Sequence, residues 1–391
     1  MKKSCFWMIL LIGSVIFSTA SAYNALYVFG DGICTTTNGP GGNLYYGKRF
    51  CNGRIWVEVL AQRQGIGISN NCSYLGQDNV AMVSNVKQFT ATNAPTAFGS
   101  DLFVVWPGDA DFIGYMTSYS SYKMSDWTNA INSSLNNHYG IITNLYAKGA
   151  RKLIIPNAVD VTEIPSYNQI TSPTTKNFVR GRVVYYNTNL LATVNRAKAA
   201  CPGLTVYVPD IFSLLDNAIT NAAYYGLTNA TLSGQPVDAL ENISNLTTNG
   251  AGNNYIFWTP ESITARMSEV LADTVQQMIS PVQICGLAQI NGNDEVDMMN
   301  VPVGLNGYLE GCTNLTRASW TTVTNFTSLA TAQSVFVPTP PLPPIYVGSG
   351  GSGGLPDPTN TNNISSSTNA IILNTSSQLY RLRFPYAWNW P

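Results

Sequence analysis

Asp31, Asp109 and Asp111 each follow a short apolar run that reads as a β-strand, and Glu261 follows another. Carboxylates at the carboxyl ends of parallel strands stand where open α/β sheets bind ligands. Asp31, Asp109, Asp111 and Glu261 are therefore candidate ligand-binding residues, with Gly108 beside them. Such a group has the chemistry to hold a cation or to act as general acid and base. The plainer expectation is that Asp31 and Asp111 accept hydrogen bonds from the backbone of their own loops, as loop aspartates do. His138 is the chain's one histidine. It sits within a helical pattern, well away in sequence from Glu261, and reads as a surface or helix-end residue. With one histidine and no Cys-x-x-Cys pair, no metal site is expected, and no cofactor is implied. Gly39-Pro40-Gly41-Gly42 lacks the Lys-Ser/Thr of a phosphate-binding loop and reads as a flexible turn.

The elements that must position these residues alternate. Ala25–Phe29, Asn79–Val83, Leu102–Trp106, Leu153–Pro156, Thr205–Val208 and Tyr255–Trp258 read as strands, several nearly continuous in apolar residues, as doubly covered strands should be. Arg54–Gln64, Asp126–Lys148 and Lys176–Ala200 read as amphipathic helices. Thr259-Pro260-Glu261 has the hydroxyl, proline and acid of a helix start. Ile263, Met267, Val270, Leu271 and Met278 would give that helix its apolar stripe. Alternation of this kind predicts an α/β fold with a parallel sheet and helices on both faces. After Ser280 the texture turns to Ser, Thr, Asn and Val, and short runs such as Gly307–Glu310, Ser334–Val337 and Leu379–Phe384 predict a small all-β domain. The expected organisation is a signal peptide over 1–22, an α/β domain over 23–280 and a β-rich domain over 281–391. A Pro/Gly/Ser-rich insertion spans about 338–362. Tyr386, Trp388 and Trp390 would cap the β-rich domain.

Composition narrows the function classes. Lys2 and Lys3, an apolar run from Phe6 to Phe17 and Ala20-Ser21-Ala22 form a secretory signal, so the mature protein is expected to be secreted. No later stretch is long and apolar enough to suggest a membrane span. Charged residues make up 10% of the chain and the net charge is -1, which leaves no footprint for nucleic acid. Without Cys5, the cysteines Cys34, Cys51, Cys72, Cys201, Cys285 and Cys312 remain. An even number in an exported chain reads as a disulfide framework, with Cys285 and Cys312 the preferred pair. Trp56 and Trp106 read as core residues.

Five ordered segments resemble one enzyme family, the GDSL (SGNH) ester hydrolases. Tyr27-Val28-Phe29-Gly30-Asp31-Gly32 is similar to the first block, where a strand runs into Phe-Gly-Asp-Ser. Gly47 to Glu58 is similar to Gly-x-Arg-Phe-Ser-Asn-Gly-Arg-x-Trp-x-Glu, and Asp101 to Phe112 resembles the strand and Gly-x-Asn-Asp of the third block. Gly149 to Asn157 resembles the next strand, and Ile256 to Thr264 stands where the family has Phe-Trp-Asp-x-x-His-Pro-Thr. The resemblance implies a three-layer α/β/α fold. It also implies a serine nucleophile, a histidine base oriented by an aspartate, and an oxyanion held by backbone N–H groups and an asparagine. At the implied positions stand Gly32 for the serine, Ala110 for the asparagine, Ser262 for the histidine and Thr259 for its aspartate. Asn79-Val80-Ala81-Met82-Val83-Ser84 matches the second block, Asn-x-Ala-x-Gly-Gly, with Val83 and Ser84 in place of its glycines.

The sequence thus implies a family member without its hydrolytic side chains: an exported binding or surface protein whose cleft takes a small neutral acylated or carbohydrate ligand. A divergent ester hydrolase working through carboxylates is the alternative reading, and a surface-assembly or self-assembly component is a third. Gly307 to Thr316, Trp320 and Leu379-Tyr380-Arg381-Leu382 resemble β-modules that end exported proteins of Verrucomicrobia, which implies adhesion or surface display.

Overall fold

The computed structural model describes residues 23–93, 98–106, 109–170, 172–312, 320–338 and 379–384. Five strands, β1 (Ala25–Gly30), β2 (Gly67–Asn71), β3 (Leu102–Trp106), β4 (Lys152–Ile154) and β5 (Thr205–Tyr207), form a parallel sheet. Their order is β2-β1-β3-β4-β5. All of β3 is buried, because it lies inside the sheet with helices over both faces, and so its sequence is an unbroken Leu-Phe-Val-Val-Trp. Edge strand β2, Gly-Ile-Ser-Asn-Asn, needs no such run.

The crossovers are α1 (Trp56–Arg63), α2 (Asn79–Thr92), α3 (Ala110–Ser118), α4 (Met124–Ala147) and α5 (Pro173–Ala200). After β5 come α6 (Ile211–Thr220), short strands β6 (Thr231–Leu232) and β7 (Gln235–Pro236), and α7 (Ala239–Asn242). A hairpin of β8 (Phe257–Thr259) and β9 (Ser262–Ile263) then leads into α8 (Ala265–Ile279). Helix α1 packs on α8, while α2, α4 and α5 pack in series. Trp56, Trp106, Phe29, Phe103 and Phe112 are fully or almost fully buried in the main core, and the two indoles meet edge to face at 5.6 Å.

Beyond α8 lie two antiparallel three-stranded sheets. One is β10-β11-β14, with β10 (Gln283–Ile290), β11 (Asn293–Met299) and β14 (Ala332–Pro338). The other is β13-β12-β15, with β12 (Asn306–Cys312), β13 (Thr321–Thr327) and β15 (Leu379–Arg383). Val296, Met298, Leu309, Val337, Leu382 and Phe384 make their common core. Arg63 links this unit to the α/β core: its Nε bonds Asp273 Oδ1 at 2.9 Å, both side chains are buried, and Nη1 reaches Val303 O at 3.3 Å.

The structure corrects several expectations. Asn79–Val83 is the opening of α2, since Asp78 caps it by accepting from Ala81 N at 2.9 Å. Met82, Val86 and Phe89 then bury one helical stripe. Tyr255–Trp258 does not extend the parallel sheet; β8 pairs antiparallel with β9 instead. The helix after that hairpin begins at Ala265 because Thr264, not Thr259, supplies the cap, accepting from Met267 N at 3.1 Å. Cys285 and Cys312 lie on separate sheets, one exposed and one buried, and no disulfide forms among the described residues. His138 is wholly buried rather than at the surface. Residues 1–22, Gly108, most of the 338–362 insertion and Tyr386, Trp388 and Trp390 lie outside the described residues. Among the described residues no helix is long and apolar enough to cross a membrane.

Candidate functional site

The strand order reverses between β1 and β3, where the register sets Gly30 beside Trp106. Connections leave such a pair in opposite directions, which opens a crevice at the carboxyl ends. A cleft of about 360 Å³ lies in this region of the sheet. Its walls bring together Asp31, Gly32, Asp109, Ala110, Glu261 and Ser262 from three distant stretches of sequence.

Each wall is held by its own hydrogen bonds. Asp31 caps the single turn Gly32–Cys34, accepting from Ile33 N at 3.3 Å, and also accepts from the backbone N–H of Asp109. Asp109 Oδ1 accepts from Val159 N at 3.3 Å, tying the loop after β3 to the one after β4. Thr259 Oγ1 accepts from Glu261 N at 3.3 Å and Ser262 N at 2.9 Å, which shapes the β8–β9 turn. Asn52 fixes the start of α8, accepting from Ala265 N at 2.8 Å and donating to Thr248 O at 3.0 Å. Tyr167 donates its hydroxyl to Glu261 Oε1 at 2.7 Å.

Three expected site residues do not join the cleft. Asp111 is buried elsewhere, with Oδ1 accepting from the backbone and side chain of Asn79 and Oδ2 from Ser134 at 2.7 Å. It fastens the start of α3 to α2 and α4. Ser84 is exposed on α2, its hydroxyl 3.4 Å from Val80 O. Thr259 is buried beneath the turn and is absent from the cleft wall. The cleft wall contains Leu75 and Gly76 instead of Ser84. Asn71-Cys72-Ser73-Tyr74-Leu75-Gly76 fits Asn-x-Ala-x-Gly-Gly, with serine for alanine and leucine for the first glycine. A Cβ at position 32 would stand 2.8 Å from Leu75 Cδ1, the movable end of an exposed side chain. Ile33, Asp78, Ile113, Gly114, Ile164 and Tyr167 complete the wall and carried no signal in the sequence.

Electrostatics follow from burial. Asp109 is pushed from 3.8 to about 7, first by burial and then by the charge of Asp160, against the opposing Val159 N–H. Burial and the neighbouring Asp109 hold Asp31 well above the usual carboxylate range. Asp111 is raised by burial too, despite its donors. His138 cannot serve this cleft. It packs inside α4, Nε2 lies 2.7 Å from the Tyr186 hydroxyl, and burial lowers it to about 4, so the ring is neutral. Among the described residues no group of His, Cys, Asp or Glu is arranged to hold a metal ion. The cleft therefore offers carboxylates, the hydroxyls of Ser262 and Tyr167, and apolar walls, with no histidine or lysine among its lining residues.

A family model described as GDSL-like Lipase/Acylhydrolase matches residues 26–257. Among solved structures, the chain is similar to a lipolytic protein of the G-D-S-L family from Veillonella parvula, at 14% identity and TM-score 0.34, covering 57% of this chain and 99% of that one. It is also similar to the lipase Lip_vut3 from a goat rumen metagenome, at 9% identity and TM-score 0.40, covering 66% and 97%. An aryl esterase of M. smegmatis matches at 12% identity and TM-score 0.33, covering 66% and 100%. No curated protein sequence matches the chain.

Proposed function

We propose that this chain, which belongs to the GDSL-like lipase/acylhydrolase family, is an exported member that binds a small ligand in the family cleft without hydrolysing it. One observation carries the reading: the position that the resemblance gives to the nucleophile is a glycine, Gly32, and the one histidine is held in the helical layer against Tyr186. A serine hydroxyl without a base is a weak nucleophile. Removing a nucleophile or base from such a machine costs on the order of 10⁶ in turnover. Ser262 is the aliphatic hydroxyl on the wall, and no histidine or lysine accompanies it there.

The carboxylates support a second reading. Asp109, at about 7, has the protonation behaviour of a general acid or base, so water activated by it would make the protein a divergent hydrolase. Labelling with a fluorophosphonate probe, followed by mass spectrometry, separates the serine route from both readings. We expect no adduct; an adduct on Ser262 would overturn the non-hydrolytic reading.

A further inference from the structure

We propose that the ligand of this cleft is a small organic cation, an ammonium group carried on a short apolar body. The inference rests on the binding reading above and names its ligand class. Four carboxylates, Asp31, Asp78, Asp109 and Glu261, line the cleft, and no Lys, Arg or His does. Elsewhere among the described residues buried Asp160 is paired with Arg180, Asp273 with Arg63, and Glu310 with Arg381 and Arg383, while buried Asp101 has no ion-pair partner. Buried Asp111 is held by the donors of Asn79 and Ser134, and buried Asp238 caps α7. None of the four cleft carboxylates has a basic partner within ion-pair distance among the described residues. Asp31 and Asp109 are buried, Asp78 is half-buried and Glu261 exposed, so the cleft gathers acids with no cation of its own, and an entering cation is favoured there over a neutral or anionic ligand.

Independent features point the same way. Asp109 is buried, yet only Oδ1 is engaged, by Val159. Ser262 is 4% exposed and lines the cleft, and its hydroxyl makes no hydrogen bond among the described residues. It is a donor and acceptor left for a ligand. The acids are not arranged for an inorganic ion, since no metal-binding group exists among the described residues. Ile33, Leu75, Ile113 and Ile164 line the rest of the space, which suits an apolar body attached to the charge.

Protons are linked to this binding. Asp109 faces Asp31 from β1, Asp160 from the loop after β4, and the shared cleft with Asp78 and Glu261. Burial holds its proton on into the neutral range, so an arriving cation, which favours the carboxylate, displaces proton from it.

The test is calorimetry on the full mature chain with benzyltrimethylammonium and hexylammonium, against neutral hexanol and anionic hexanoate. Either cation should bind at least about tenfold more tightly than hexanol, with hexanoate weakest. Binding heats near pH 7 should vary with buffer ionisation enthalpy, reporting proton release, and affinity should rise from about pH 6 to about pH 8. Asp109→Asn should weaken cation binding about tenfold and reduce the buffer dependence; Asp78→Asn, at a half-buried rim position, should weaken it less. Equal affinity for hexanol, no binding of either cation, or affinity unchanged in Asp109→Asn overturns the proposal. Binding of neutral glycans or esters in the cleft would sink the cation while leaving the binding reading intact; turnover of a bound ester would sink the binding reading itself.

Discussion

Asp109→Asn is expected to stabilise the protein, and increasingly so as pH rises. The Asp109 carboxyl is buried at the start of α3 and moved from 3.8 to about 7, chiefly by burial. A folded-state value above the unfolded one means that the native state holds the proton more tightly. Ionisation therefore costs stability, from near pH 4 upward until the pH passes the folded value. About three units at about 1.4 kcal/mol each give a penalty of about 4 kcal/mol at pH 8, against about 1.5 kcal/mol at pH 5. Asparagine keeps an oxygen for Val159 N–H and has nothing to ionise. It also relieves Asp31, which the Asp109 charge raises, so the neighbour acts in the same direction. Urea unfolding of both proteins at each pH, with equal m-values required, measures the difference. The advantage of the variant should widen by about 2–3 kcal/mol between pH 5 and pH 8. His138 titrates alike in both proteins and cancels. An advantage that stays flat or narrows with pH refutes a destabilised buried carboxylate at this position.

His138, lowered from 6.5 to about 4, should withdraw about 3 kcal/mol of stability as pH falls from 6.5 toward 4, and none above that range. Its imidazole resonances followed by NMR should titrate near 4, and a midpoint near 6.5 would put the ring in solvent. Asp273→Ala leaves the Arg63 cation buried and should cost about 3–5 kcal/mol by denaturant unfolding. A loss below about 1 kcal/mol would show the pair to be dispensable. Gly32→Ser should cost no more than about 1 kcal/mol, because its Cβ meets only the movable tip of Leu75, and Leu75→Ala in the same chain should recover the Gly32→Ser contribution. The serine alone should add no ester turnover, and measurable hydrolysis by Gly32→Ser would reveal a base that the described cleft does not contain.

The interior of the sheet was legible where strands are covered on both faces. Leu102 to Trp106 spelled its environment, whereas β2 sits at an edge and its Gly-Ile-Ser-Asn-Asn spelled nothing. The same strand hid the second family segment. Asn79-Val80-Ala81 supplied a tempting asparagine and alanine, but Asp78 caps a helix there, and the wall is built by Leu75 and Gly76. Two threonines three residues before a backbone donor competed as the cap near α8; Thr259 took the turn and Thr264 the helix. Asp31, Asp109 and Glu261 could be placed at strand ends from pattern alone. Asp111, next but one to Asp109, could not be told apart from it, because its partners Asn79 and Ser134 come from other helices. The Arg63–Asp273 pair joins residues 210 apart and left no local trace.

The most direct test measures the hydrolysis of p-nitrophenyl acetate and butyrate by the purified wild-type protein across neutral pH. The predicted rate equals that of the buffer blank, and equals that of Asp109→Asn and Asp31→Asn. Turnover approaching about 1 s⁻¹, ordinary for an enzyme, contradicts a cleft without hydrolytic machinery; its disappearance in either variant would assign the chemistry to the carboxylates.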